Sequence, residues 1–168
     1  KVKSHFEDEF FCHGHTYAYH ALAASAIPAA VAEYDKLFKS GLPQKTAQHL
    51  QKKLYEMGDK HICVGDVRGI GHFWALEIVK NRETKEPFDT KADKLSGKAL
   101  MTGQIAGDAM KNGLYMAPWY DTLVIAPPLI ITEEQIDEAV DILDKALKVG
   151  DEQAVETDVA ASHSSEYN

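Results

Sequence analysis

The sequence predicts an α+β fold, a small antiparallel sheet covered by helices. Three observations predict it. Thr132-Glu133-Glu134-Gln135 is a capping-box start, and Ile136, Ala139, Val140, Leu143, Ala146 and Leu147 follow as one apolar stripe at helical spacing. Between Phe73 and Val79 the pattern changes to period two, with Trp74, Leu76 and Ile78 on one face and Phe73, Ala75, Glu77 and Val79 on the other. In chain order the segments read helix, helix, strand, then helix, strand, strand, helix, which suits an antiparallel sheet with helices on it.

Taken in order, residues 1–12 read as a connector ending in the apolar, strand-like Phe10-Phe11-Cys12. Tyr19 to Leu37 reads as helix, and seven alanines between 21 and 32 let another backbone or subunit pack closely. Pro28 falls inside it. An interior proline removes a hydrogen bond and costs about 3 kcal/mol, so a kink or break is expected before Ala29. Ser40-Gly41-Leu42-Pro43 stops that helix, and Gln44 to Met57 forms the next, with Leu50, Leu54 and Met57 on one face. After the strand at 73–79, residues 81–87 form a charged loop. A helix is predicted over Lys98–Lys111, weakened by Gly103 and Gly107 and closed by Asn112-Gly113. Short strands are predicted at Leu114–Ala117 and Thr122–Ile125, the second ended by Pro127-Pro128. After Gly150 the Ala/Ser/Glu-rich tail reads as disordered.

A chain of 168 residues with 45% hydrophobic content supports one domain with a core. It has no initiator Met, no signal-peptide pattern and no apolar run near the roughly 18 residues that span a membrane. The net charge is −8, but five acids and no Lys or Arg lie in residues 151–168, leaving −3 for the rest. That argues against nucleic acid as partner. Cys12 and Cys63 are expected as cytosolic free thiols, although a disulfide is open to them. Cys12, His13, His15 and His20 cluster locally but lack the distant partner pair of a zinc site, so no metal is expected.

Three blocks carry the chemistry. The first is His13-Gly14-His15-Thr16-Tyr17-Ala18-Tyr19-His20: a glycine for close backbone approach, a threonine hydroxyl, and a following helix whose N-terminus would favour an anion. Alone, it reads better as a strand-to-helix turn with Thr16 or its neighbours as cap residues; with the two further blocks, phosphate binding becomes the better reading. The second runs from Val64 to Glu77 through Val67-Arg68-Gly69-Ile70-Gly71; lacking a helix start, it reads as a turn between two strands with Arg68 bridging backbone groups. The third is Ile125-Ala126-Pro127-Pro128-Leu129-Ile130-Ile131-Thr132.

In that order and at these spacings the blocks resemble the C-terminal part of class III (omega-type) aminotransferases, pyridoxal-phosphate enzymes of fold type I. The family pattern is Gly-Phe-Thr-Tyr-Ser-Gly-His-Pro, then Val-Arg-Gly-x-Gly-Leu, then Ala-Pro-Pro-Leu. The resemblance runs from about Phe6 to Val149. It implies an α/β two-domain parent: residues 1–40 the end of the large cofactor-binding domain, 41–150 the C-terminal small domain, and 151–168 a disordered acidic tail. Family members are much longer, so the chain is expected to be a C-terminal piece.

The resemblance also assigns residues. Gly14, His15 and Thr16 are expected to bind the phosphate of pyridoxal 5'-phosphate, Thr16 across a homodimer contact so that the active site is shared between subunits. Ala18-Tyr19-His20-Ala21 departs from the family's Ser-Gly-His-Pro, so the helix start is bulkier. Ala117, Trp119 and Tyr120 are expected at the substrate pocket, with Trp119 either a pocket wall or a core residue. Amine-type members place an arginine where this chain has Ala117, and ornithine-type members place one where it has Val124. Neither residue can supply the bidentate guanidinium–carboxylate pair. No catalytic residue is expected in this chain: the Schiff-base lysine and the acid facing the pyridine nitrogen lie upstream in the family, and Lys1 and Lys3 stand too near Thr16. The chain alone is therefore expected to be inactive.

The expected activity of the parent is transfer of an amino group from a primary amine or omega-amino acid to a keto acid such as pyruvate, in the cytoplasm; in the missing arginines and the Trp119 region the chain resembles taurine–pyruvate-type members. Two alternatives stand beside it: a pyridoxal-phosphate isomerase or decarboxylase of the same fold, and a non-catalytic α+β dimerisation module whose glycine turns are architectural.

Overall fold

The computed structural model describes Ser4, residues 13–18 and residues 20–155, and the chain divides into two units, residues 1–39 and 40–168. The expected edge at Phe10-Phe11-Cys12, Tyr19 and the tail from 156 lie outside the described residues. In the first unit the expected single helix is two: α1 (Ala21–Ala24) and α2 (Ile27–Lys39). The break falls at Ser25–Ala26, which puts Pro28 in the first turn of α2. There its missing N–H costs nothing, because first-turn N–H groups have no intrahelical partner.

The second unit holds α3 (Leu42–Lys60), β1 (Val64–Ile70), β2 (Phe73–Asn81), β3 (Glu86–Pro87), α4 (Lys91–Leu95), α5 (Met101–Lys111), β4 (Ala117–Trp119), β5 (Thr122–Ile125) and α6 (Glu133–Asp151). The sheet is antiparallel in the order β1-β2-β5-β4, with β3 paired to the end of β2. Three helices cover one face. Leu50, Leu54 and Met57 of α3, Ile105 and Ala109 of α5, and Ile136, Leu143 and Leu147 of α6 close over Trp74, Leu76, Ile78 and Leu123. This is the α+β layering that the two periodicities predict.

Glycines set the close approaches. A Cβ on Gly69 would lie 2.4 Å from the Phe73 carbonyl oxygen and 2.6 Å from the Trp74 ring. Only a bare backbone lets Trp74 tuck under β1, where its indole N–H donates to the Gly71 carbonyl at 2.8 Å. Val79 lies on the face opposite Trp74 by alternation, yet it is buried. It packs against Gly65, where a Cβ would meet a Val79 methyl at 2.7 Å, and a register shift between Val64 and Asp66 accompanies it.

Several expectations are corrected. Arg68 is not in the turn; it lies in β1, and its guanidinium donates to the carboxylates of Asp66 (2.8 Å) and Glu77 (2.7 Å) rather than bridging backbone groups. The turn is one step later, at Gly71, with φ +61°. The strand expected at Leu114–Ala117 forms instead at Ala117–Trp119, because Leu114 is still tied to the end of α5 through its N–H to the Ala109 carbonyl. The helix expected from Lys98 starts at Met101, where the Asp89 carboxylate accepts the Met101 N–H at 2.7 Å and holds Lys98 at 3.0 Å. Disorder does not begin at residue 151. Asp151 closes α6, and the Val155 N–H donates to the Lys80 carbonyl at 2.7 Å.

Among the described residues no helix is long and apolar enough to cross a membrane. No group of three or more His, Cys, Asp or Glu among them is placed to hold a metal ion.

Candidate functional site

Gly14, His15 and Thr16 are exposed in the first unit, where Thr16 opens a turn over residues 16–18. The Ala18 N–H donates to the His15 carbonyl at 2.9 Å and the His20 N–H to the Tyr17 carbonyl at 3.2 Å, so the chain curls just after Thr16. Nothing lies within 4 Å of where a Gly14 Cβ would stand. The His13 and His15 rings meet edge to face at 4.9 Å. The helix that follows does not add the expected dipole. α1 is four residues long and begins five residues after Thr16, and His20 Nδ1 already accepts the Ala23 N–H at 3.2 Å. What the turn offers an anion is a hydroxyl, peptide N–H groups and an open glycine.

The positions expected on the substrate side, Ala117, Trp119 and Tyr120, lie on the second unit. Ala117 of β4 and Val124 of β5 are direct cross-strand partners, so the two positions at which the resemblance expects an arginine lie side by side. Both are small and apolar here. Trp119 and Thr122 are the next pair along the ladder. Trp119 is 68% exposed, whereas Trp74 is 2% exposed; the core tryptophan is Trp74, and the reading of Trp119 as a core residue falls. Tyr120 is half-buried and fixed at both ends: its hydroxyl donates to the Asp89 carbonyl at 2.5 Å, and its own carbonyl accepts from the Thr102 hydroxyl at 3.1 Å. Burial, and then the carboxylates of Asp121, Asp89 and Asp93, hold the Tyr120 phenol above its usual pKa, so it remains a donor.

Trp119 and Tyr120 border a cleft of about 250 Å³ along β4, completed by residues of α4 and the start of α5. α4 itself was not foreseen, because at five residues it is too short to show a helical period. The signal was present in Thr90 and Asp93, which form a reciprocal capping box. A second, apolar groove of about 290 Å³ lies between α3, α6 and β5, lined by Leu54, Met116, Pro127 and Val140 among others.

The sequence matches the class III aminotransferase family over residues 1–147, and the chain belongs to that family. Among curated relatives, the putrescine–pyruvate aminotransferase of Pseudomonas aeruginosa is 36% identical over 82% of this chain and 28% of its own length. The taurine–pyruvate aminotransferase of Bilophila wadsworthia is 39% identical over 61% of this chain and 22% of its own. A solved taurine:2-oxoglutarate aminotransferase from Bifidobacterium kashiwanohense, in complex with PLP and glutamate, superposes with a TM-score of 0.68 at 34% identity, covering 92% of this chain and 34% of that one. The chain thus spans about a quarter to a third of the proteins it matches.

Proposed function

We propose that this chain forms the C-terminal part of a pyridoxal-phosphate-dependent aminotransferase, which moves an amino group from a primary amine or omega-amino acid to a keto acid such as pyruvate. The observation that carries this is the family match over residues 1–147, joined to the exposed Gly14-His15-Thr16 segment that leads into the turn.

The turn fits a phosphate. Gly14 leaves its backbone approachable, and the Thr16 hydroxyl is exposed and makes no hydrogen bond to the described residues. A hydrogen bond from such a hydroxyl to a charged oxygen is worth about 1.5–3 kcal/mol. Pyridoxal phosphate, when bound, supplies the electron sink and the carrier for the amino group. Gly14, His15 and Thr16 anchor its phosphate, and in a cytoplasmic homodimer they do so for the partner's active site. Trp119 and Tyr120 wall the substrate side and exclude water. Ala117 and Val124 leave the wall between them neutral.

The test is made on the full-length protein carrying this sequence. Purified with pyridoxal phosphate, it is expected to show the visible absorbance of the bound cofactor and to form alanine from pyruvate with at least one of putrescine, taurine or β-alanine. A protein that binds no cofactor and forms no alanine with any of them contradicts the reading and favours a purely architectural module.

A further inference from the structure

We propose that Asn112 is a site of spontaneous covalent modification, a deamidation site whose reaction is held in check by the end of α5. Asparagine is among the thermolabile residues. The chain has three asparagines, and only Asn112 precedes a glycine. With no side chain on Gly113, nothing shields its peptide nitrogen from the asparagine side-chain carbonyl. Both residues are exposed. Asn81, by contrast, precedes Arg82 and is buried, and its side-chain oxygen accepts the N–H groups of Glu83 and Thr84 at 2.9 Å.

The reaction needs only water. The Gly113 nitrogen gives up its proton and bonds to Asn112 Cγ. The Cγ–Nδ2 bond breaks, Nδ2 takes up the proton, and ammonia leaves. Water then opens the cyclic imide to aspartate or isoaspartate. No electrons are gained or lost.

The helix stop holds both nitrogens. Gly113 has φ +98° and stands at the left-handed position of a Schellman motif. Its N–H donates to the Met110 carbonyl at 3.1 Å, and the Leu114 N–H donates to the Ala109 carbonyl at 3.0 Å. The Asn112 side-chain amide donates to the Asp108 carbonyl at 2.9 Å. The attacking nitrogen is thus engaged in the motif and the departing one in the cap. Asn112 has ψ 10°. Ring closure requires ψ to swing until the Gly113 nitrogen eclipses Cβ, which pulls its N–H off Met110. Leu114 fastens the motif by packing on the core cluster that includes Ala109. Deamidation therefore proceeds through local opening of the last turn of α5.

The product acts back on the helix. A carboxylate at residue 112 loses the donor to the Asp108 carbonyl and sits at the negative end of α5, where an anion is unfavourable. Isoaspartate adds a methylene to the main chain in the short link between α5 and β4. Modification weakens the stop that had restrained it.

The experiment incubates the full-length protein at mildly alkaline pH beside a synthetic peptide of residues 108–118. Peptide mass spectrometry follows the exchange of –NH2 for –OH at residue 112. Modification is expected to accumulate at residue 112 in the protein at least about tenfold more slowly than in the peptide, with Asn81 unchanged. Leu114→Ala, which removes the apolar fastening, is expected to speed the reaction in the protein about fivefold, each variant being referred to a peptide of its own sequence. A protein that stays unmodified at residue 112 after the peptide has reacted overturns the site. Equal rates in protein and peptide, or no response to Leu114→Ala, overturn its control by the end of α5.

Discussion

Ala117 and Val124 face each other across the β4–β5 ladder. Side chains of directly opposed residues share a face of the sheet and stand about 4.5–5.5 Å apart at Cβ. An arginine placed on either strand at these positions would therefore reach the same patch of the sheet face. In this chain that patch is apolar. Ala117→Arg in the full-length enzyme is expected to lower the KM for β-alanine about tenfold, through a bidentate charge-assisted pair, without lowering it for 1-phenylethylamine. Steady-state kinetics with pyruvate held constant check this; an equal effect on both donors would place Ala117 away from the substrate.

A buried ionic knot ties the end of α3 to α6. The His61 ring, 2% exposed at its side chain, has Nδ1 2.6 Å from an Asp151 oxygen and Nε2 3.0 Å from an Asp144 oxygen. Lys60 also pairs with Asp144, and the Cys63 N–H donates to Asp151 at 3.0 Å. Hydrogen bonding from Lys60, then from His61, lowers the Asp144 pKa against the opposing effect of burial. For Asp151, burial is the largest influence and pushes upward, but the Cys63 N–H and His61 outweigh it and the net shift is downward. A carboxyl whose folded pKa lies below its unfolded value of about 3.9 stabilises the fold above that value. The contribution is lost as pH falls through the folded pKa. Asp151→Asn is expected to cost about 2–4 kcal/mol at pH 7, as breaking a buried pair does, and to flatten the fall in stability below about pH 4. Urea unfolding of the chain at pH 7 and pH 3 measures both; parallel losses in parent and variant would remove Asp151 from the acid response.

Two glycines separate close approach from mere permissiveness. Gly69→Ala forces a methyl into the Phe73 carbonyl and the Trp74 backbone, and overpacking of this kind costs about 1–3 kcal/mol or more. Gly107, inside α5, has nothing within 4 Å of its missing Cβ. Gly107→Ala is expected to stabilise by about 0.5–1 kcal/mol through helix propensity. Thermal unfolding midpoints should move in opposite directions; a neutral Gly69→Ala would contradict the packing of Trp74 under β1.

Much of this architecture was legible because burial imposes a period. The α6 stripe, the Trp74–Leu76–Ile78 face and Leu50–Leu54–Met57 all point to the core as their spacing requires. Boundaries were less legible because distant groups set them. Asp89 decides where α5 starts from twelve residues upstream, and β4 begins late because Leu114 still closes α5. The register that makes Ala117 and Val124 partners is a property of the ladder and is invisible in either segment alone.

The central claim is that the turn at Thr16 grips the cofactor's phosphate. The direct measurement is the dissociation constant of pyridoxal phosphate for the full-length enzyme and its Thr16→Ala variant, by equilibrium titration of the apo form. Loss of one hydrogen bond to a charged oxygen predicts binding weaker by at least about tenfold. A variant that holds the cofactor as tightly as the parent would contradict the account.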